Sequence, residues 1–203
     1  MKVRIVYLFL LSLIVVGCST SRNTYFSRKY HDLTAYYNVY FNGRESLKQA
    51  SKKAEAIESQ NFDEILPVFA FEYEQVAGLV SGEMQRTIDK GDKTVTKHSI
   101  TVKPKRKKNM TREQREFYNK KEFNRFVDDA HLITGKAHAY MHEYAVAEEK
   151  FTFITTEYPK ETSAYEAQAF LAIVLAQDKQ YVKAEDLLVS LTRKKILPER
   201  SNL

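Results

Sequence analysis

Three histidines, His131, His138 and His142, and the single cysteine, Cys18, are the side chains whose chemistry and spacing could build a site. His138 and His142 stand four apart, so a helix would carry both imidazoles on one face, the spacing of a two-histidine zinc grip. A zinc hydrolase of that kind needs Glu directly after the first histidine as its base. Here that position is Ala139. The pair therefore reads as surface histidines, and no metal or cofactor is expected. The carboxylate pairs Asp128-Asp129 and Glu148-Glu149 are sequence neighbours. Adjacent residues diverge around a helix and cannot converge on one reacting atom. The chain has no glycine-rich phosphate loop and no G-x-S-x-G turn. The expectation is a protein that is not an enzyme and takes no small-molecule substrate.

Cys18 offers a different chemistry. It follows a basic start (Lys2, Arg4), an apolar run from Ile5 to Val16, and the junction Val15-Val16-Gly17. The chain then turns polar through Ser19-Thr20-Ser21-Arg22-Asn23. The run has twelve residues, short of the roughly twenty a spanning helix needs, and it fits the apolar region of a secretory signal. No A-x-A-like cleavage site is present; Gly before the cysteine, with aliphatic residues before it, resembles a bacterial lipobox. That resemblance implies a signal peptide over residues 1–17, diacylglyceryl attachment at the Cys18 sulfur, and acylation of the new amino terminus. Two or more acyl chains hold a protein firmly on a bilayer, whereas one does so only marginally. By the same resemblance, Ser19 in place of Asp points to the outer membrane. The lack of an acidic run after the cysteine points to its periplasmic leaflet. Nucleic acid is then excluded as a partner.

The elements that must position any site are helical. Six glycines and four prolines are few for a turn-rich β-fold. With its one cysteine assigned to lipid, the chain has no disulfide framework, so core packing must stabilise it. Residues 18–30 read as a lipidated tether. Residues 31–98 read as an N-terminal helical region, with a hairpin turning at Asn42-Gly43 and a small core of Tyr36, Tyr37 and Tyr40. Leu47, Ala50, Ala54 and Ile57 mark its second helix. Phe69, Phe71 and Tyr73 alternate as a short extended stretch, and a helix is expected over 83–97. Between Lys97 and Arg125 there are eleven Lys or Arg against three Glu. The basic segment 103–108, inside a linker over 99–112, reads as a solvated linker or as a contact for anionic headgroups or an acidic protein. Thr111 with Gln114 forms a capping-box pattern.

Residues 113–203 carry a repeat. Phe123, Phe126, Val127, Ala130, Ile133, Ala137 and Tyr140 recur at helical spacing. His142-Glu143 turns the chain, Tyr144, Ala147, Phe151, Ile154 and Tyr158 form a second stripe, and Pro159 ends it. Ser163 is read as the cap of a third helix, Asp178-Lys179-Gln180 as a turn, and Tyr181, Ala184, Leu187, Leu188 and Leu191 as a fourth stripe. Tyr144-x-x-Ala147 recurs as Tyr181-x-x-Ala184, a period of 37 residues, the range of stacked helix–turn–helix units. Gly135, Ala147, Phe151 and Pro159 resemble the tetratricopeptide pattern, as do Ala172, Ala184 and Leu188 one period later. The fold class is therefore all-α, an α-solenoid of helical hairpins with tetratricopeptide-like repeats. Its last unit has an open apolar face, which a partner or further repeats beyond Leu203 would cover, and the pattern favours further repeats.

Cys18-Ser19-Thr20, Tyr36–Gly43, Leu66–Phe69 and Glu122–Ala130 running into Gly135-Lys136-Ala137 resemble the SprE/PorW type of Bacteroidota lipoprotein. That resemblance implies an outer-membrane tetratricopeptide protein connecting envelope and secretion-system proteins in type IX secretion and gliding motility. On the repeats, Lys136, His138 and Tyr140 of one helix are the candidate protein-binding residues. A β-barrel assembly lipoprotein shares the anchor-plus-repeat design and is the alternative.

Overall fold

The computed structural model describes residues 19–56 and 67–193. Cys18, residues 1–17, Ile57, Leu66 and Leu203 lie outside them. Among the described residues every regular element is helical, and no helix is long and apolar enough to cross a membrane.

The chain begins with one helical rod. Helix α1 (Tyr25–Thr34) starts at Thr24, whose hydroxyl accepts the Ser27 N–H at 3.1 Å. It passes through a wider π-helical turn, Ala35–Tyr40, into α2 (Phe41–Glu55). Two expectations are corrected here. The tether read over residues 18–30 is helical from Tyr25, because a threonine cap precedes a buried Ser27–His31 face. Asn42-Gly43 makes no hairpin: the Asn42 amide donates to the Asn38 carbonyl at 3.1 Å, four residues back along the rod. Gly43 is needed for close approach. A Cβ there would lie 3.0 Å from Lys90 Cβ and 3.2 Å from Ile133 Cδ1.

The rod packs against α3 (Glu74–His98), which is much longer than the helix expected over 83–97. Before it, the stretch read as extended is a single 3-10 turn, Ala70–Glu72. It folds inward because Phe71 is buried against Tyr140, ring centroids 5.0 Å apart. Ser46 and Thr87 hydroxyls donate across the α2–α3 interface to Glu83 and Gly43 carbonyls at 2.9 and 3.2 Å. Gly91 interrupts α3 in sequence only. It lets α5 (Val127–Tyr140) approach, and a Cβ there would stand 2.1 Å from Thr134 Oγ1 and 3.1 Å from the Ala130 carbonyl oxygen.

Between α3 and α5 the basic linker runs without helix to α4 (Arg112–Asn119). The Thr111–Gln114 capping box forms as read, with reciprocal bonds of 3.2 and 3.3 Å. Helices α6 (Tyr144–Glu157), α7 (Thr162–Gln177) and α8 (Tyr181–Arg193) complete the stack, each packed on the one before. The third stripe is capped at Glu161, not Ser163. The Ser163 hydroxyl is instead drawn to Asp128 Oδ2 at 2.6 Å, joining α7 to α5. One core joins the rod, α3 and α5, and a second joins α5, α6 and α7, so α5 belongs to both.

The carboxylate of Glu122 closes the long connection. Its Oε1 accepts the backbone N–H groups of Ile100, Phe123 and Asn124 at 2.8, 2.9 and 2.8 Å, and its Oε2 accepts the Ser99 hydroxyl at 2.5 Å. The Asn124 amide adds a bond to the His98 carbonyl at 2.9 Å. The end of α3 and the start of the repeats are thereby clamped together.

Two outcomes are expected in urea denaturation. Gly91→Ala overpacks the α3–α5 crossing and costs about 1–3 kcal/mol, while Gly82→Ala, with nothing within 4 Å of its Cβ, gains up to about 1 kcal/mol from helix propensity. Glu122→Ala leaves the Ile100 and Asn124 N–H groups unmet, while that of Phe123 keeps the Ile100 carbonyl; it costs roughly 2 kcal/mol or more, with Glu122→Gln falling between it and the parent.

Candidate protein-binding site

The repeats are built on one kind of turn used twice. After α5, His142 takes a left-handed conformation (φ 60°), its N–H reaches the Ala139 carbonyl at 3.1 Å, and the Glu143 N–H reaches back to the His138 carbonyl at 3.0 Å. After α7, Lys179 (φ 62°) bonds to Ala176 at 3.1 Å and Gln180 to Leu175 at 2.8 Å. Each residue of the second set lies 37 positions beyond its counterpart, the period of the sequence. Both are Schellman closures, in which a left-handed residue lets the last helical carbonyls find donors. Neither uses glycine. His142 is held by its own ring, whose Nε2 lies 2.5 Å from the Phe71 carbonyl oxygen and which stacks on Tyr144.

Inside the first pair, Phe151 of α6 lies on Gly135 of α5, where a Cβ would meet the ring at 2.8 Å. Phe151 and Ala147 are fully buried. The small residue at the crossing and the aromatic beside it thus have the places that the pattern assigned to them.

The structure engages each sequence-predicted residue of α5 within the chain. Lys136 pairs with Glu166 of α7 and holds its ammonium 4.6 Å from the Phe170 ring centroid. His138 Nδ1 lies 2.5 Å from Glu143 Oε2, within its own turn. Tyr140 packs on Phe71, and burial raises its hydroxyl above the usual phenol range, an effect that a Ser51 hydrogen bond opposes. Lys136 therefore faces the neighbouring α7, while Tyr140 faces the N-terminal region. Cys18 lies outside the described residues. His138 and His142 turn to different partners, and among the described residues no three metal-ligating side chains come together.

The inner face of α5 is partly filled by the rod. Tyr40 is buried and stacks on Phe126 at 5.6 Å, and Tyr36 lies on the same ring at 5.0 Å. Burial, with Asp129, Asp128 and Glu166 nearby, pushes the Tyr40 hydroxyl far above its usual range, against the pull of Arg44. Tyr37, read as part of the same core, points outward.

Two features escaped the sequence reading. One is an open groove of about 570 Å³ between α4, the 119–122 segment and the α6–α7 turn. Phe117, Tyr158 and Pro159 line it, and the Lys120–Glu161 and Lys121–Glu157 ion pairs (2.7 and 2.6 Å) span it. The partners lie 41 and 36 residues apart, beyond any local pattern. The other is His31, whose Nδ1 lies 3.1 Å from Nδ1 of His98. Burial lowers the His98 pKa, and His31 and Lys93 lower it further.

Compared with known proteins, the chain matches no family model and no curated sequence.

His131 sits on Phe153 between α5 and α6, ring centroids 4.9 Å apart. Burial, aided by Lys150 and opposed by Asp92, takes its pKa from 6.5 down to about 4. The unfolded chain then binds this proton more readily than the folded one below pH ~6.5, so stability falls with pH. Between pH 7 and 5 the loss from His131 is about 2 kcal/mol. Chemical denaturation at both pH values should show it, and His131→Gln should flatten that difference.

Proposed function

We propose that this protein is a non-enzymatic, lipid-anchored adaptor that holds other envelope proteins at the periplasmic face of the outer membrane, in type IX secretion and gliding motility. The observation that carries the adaptor part is the helix–turn–helix unit repeated at 37 residues, turn for turn, with Phe151 seated on Gly135. Stacked helix pairs of this kind present extended surfaces along which a partner chain can lie, and their residue types resemble the tetratricopeptide pattern. The open surface for a partner is the groove lined by Phe117 and Tyr158, since Lys136, His138 and Tyr140 are engaged within the chain.

The anchor part rests on the lipobox-like junction before Cys18, and the pathway on the resemblance of Tyr36–Gly43 and Glu122–Ala137 to the SprE/PorW type. From Cys18 to the helix start at Tyr25 is seven residues, at most about 25 Å when extended. An acylated Cys18 would therefore hold the helical body against the bilayer.

Cys18→Ala is expected to move the protein from the membrane to the soluble periplasmic fraction while leaving its helical circular dichroism unchanged. Full membrane retention and function of that variant would refute the anchor. Affinity purification from detergent-solubilised membranes should recover secretion-system components. Recovery of barrel-assembly proteins alone would refute the pathway.

A further inference from the structure

The outer face of α1 is apolar and uncovered. Phe26, Tyr30, Leu33 and Tyr37 follow one another at four-, three- and four-residue steps, which is one face of a helix. All four are exposed, Phe26 at 79% and Tyr37 at 64%, and Phe41 (42%) follows beyond the π turn. The opposite face of the same rod, Ser27, His31, Ala35 and Val39, is the buried one. The rod thus has one face packed and an apolar face left open.

Charge distinguishes this open face from the other in the molecule. Residues 19–56 carry seven Lys or Arg against three Asp or Glu. Lys29, Lys48 and Lys52 are exposed along the rod, with Arg22 just before it. The five cations of segment 103–108 are tethered to the same end. The Asn23 amide donates to the Val102 carbonyl at 2.6 Å, and the Arg28 guanidinium lies 5.0 Å from the Phe117 ring centroid in a cleft shared with Lys105 and Lys107. The exposed apolar residues of α8, Tyr181, Val182, Leu188 and Val189, belong to a helix with two basic and two acidic residues.

We propose that the face of the rod formed by Phe26, Tyr30 and Leu33 of α1 and Tyr37 of the π turn lies on an anionic lipid bilayer, with the 103–108 segment supplying headgroup contacts beside it. Tyrosine suits this role, because its ring carries a polar hydroxyl and partitions to the membrane interface, while phenylalanine and leucine supply the apolar contact. Basic neighbours add attraction to anionic headgroups. The proposal uses the anchor reading only to bring a bilayer near; the face itself is tested without lipidation.

The chain contains no tryptophan, so one introduced residue reports alone. Full-length unlipidated protein carrying Phe26→Trp, Tyr37→Trp or, as a reference, Val182→Trp is mixed with vesicles of phosphatidylglycerol and phosphatidylcholine bearing brominated acyl chains. Trp at 26 and at 37 should shift to the blue and lose roughly half or more of its emission, while Trp at 182 changes little. Replacing Lys105 and Lys107 by Glu should weaken partitioning at least roughly fivefold, and pure phosphatidylcholine should bind less. Quenching at 26 without quenching at 37 would show that only the start of α1 enters the bilayer, and would overturn the proposal. Equal quenching at all three sites, or binding indifferent to lipid charge, would also overturn it. A blue shift at 26 and 37 without vesicles, growing with protein concentration, would assign the face to a second copy of the chain instead. Failure of Cys18→Ala to mislocalise would leave these outcomes untouched, so the two readings fail separately.

Discussion

A buried carboxylate holds this molecule in one piece. Between α3 and α5 the chain runs through residues 99–126, with ten Lys or Arg against three Glu and only the two-turn helix α4 for regular structure. Such a length of chain has no reason of its own to return to one place. Glu122 supplies the reason: four donors, three of them backbone, converge on its two oxygens. Charge-assisted bonds of this kind are roughly twice as strong as neutral ones, and the Ile100 and Asn124 N–H groups have Glu122 as their acceptor. Because the donors come from both ends of the connection, the clamp fixes where α5 begins relative to where α3 stops. Everything that α5 then organises, its packing on α3 through Gly91 and on α6 through Gly135, inherits that placement.

The repeats were the most legible part of the chain, for a physical reason. A helix pair stacked on its neighbours needs the same small residue at each crossing and the same turn at each corner, so the pattern returns at a fixed interval. The stripes from Ala130 to Tyr140 and from Tyr144 to Ile154 match the helices closely, as do the turns at His142 and Lys179. Sequence could also find the Thr111–Gln114 box, since both partners lie within one turn of helix. It went astray at Phe123, which belongs to the clamp loop, and at Ser163, whose hydroxyl has a better acceptor in Asp128 than its own helix offers.

The N-terminal half misled for the opposite reason. Asn-Gly is a turn signal when nothing else acts on the chain, but here Gly43 is required by a neighbouring helix that sequence alone does not place. The same holds for Gly91, which lowers the helix propensity of α3 locally yet removes a clash with Thr134. Tertiary packing overrode local preference at both positions. The Lys120–Glu161 and Lys121–Glu157 pairs were illegible because their partners meet only after three helices have folded. Of the candidate residues, Lys136 illustrates the ambiguity best: a cation on the inner helix of a repeat is a natural ligand contact, and also a natural strut to the next inner helix, here through Glu166 and Phe170.

The two ends of the stack differ in what they ask of their surroundings. Phe151 is fully buried because α7 lies over it, its ring 5.7 Å from that of Phe170. Leu188, one period later, is half exposed, since no described helix lies beyond α8. The burial that stabilises each unit is therefore supplied by the unit after it, and among the described residues α8, with two basic and two acidic residues, leaves an apolar face open that is suited to another helix. At the other end no repeat precedes the rod among the described residues, and the rod pairs an open aromatic face with exposed cations along its length. A helical neighbour would gain little from that charge, whereas an anionic surface would gain from both features at once. The difference in charge between the two open faces is what our proposals rest on in setting protein against one end and lipid against the other.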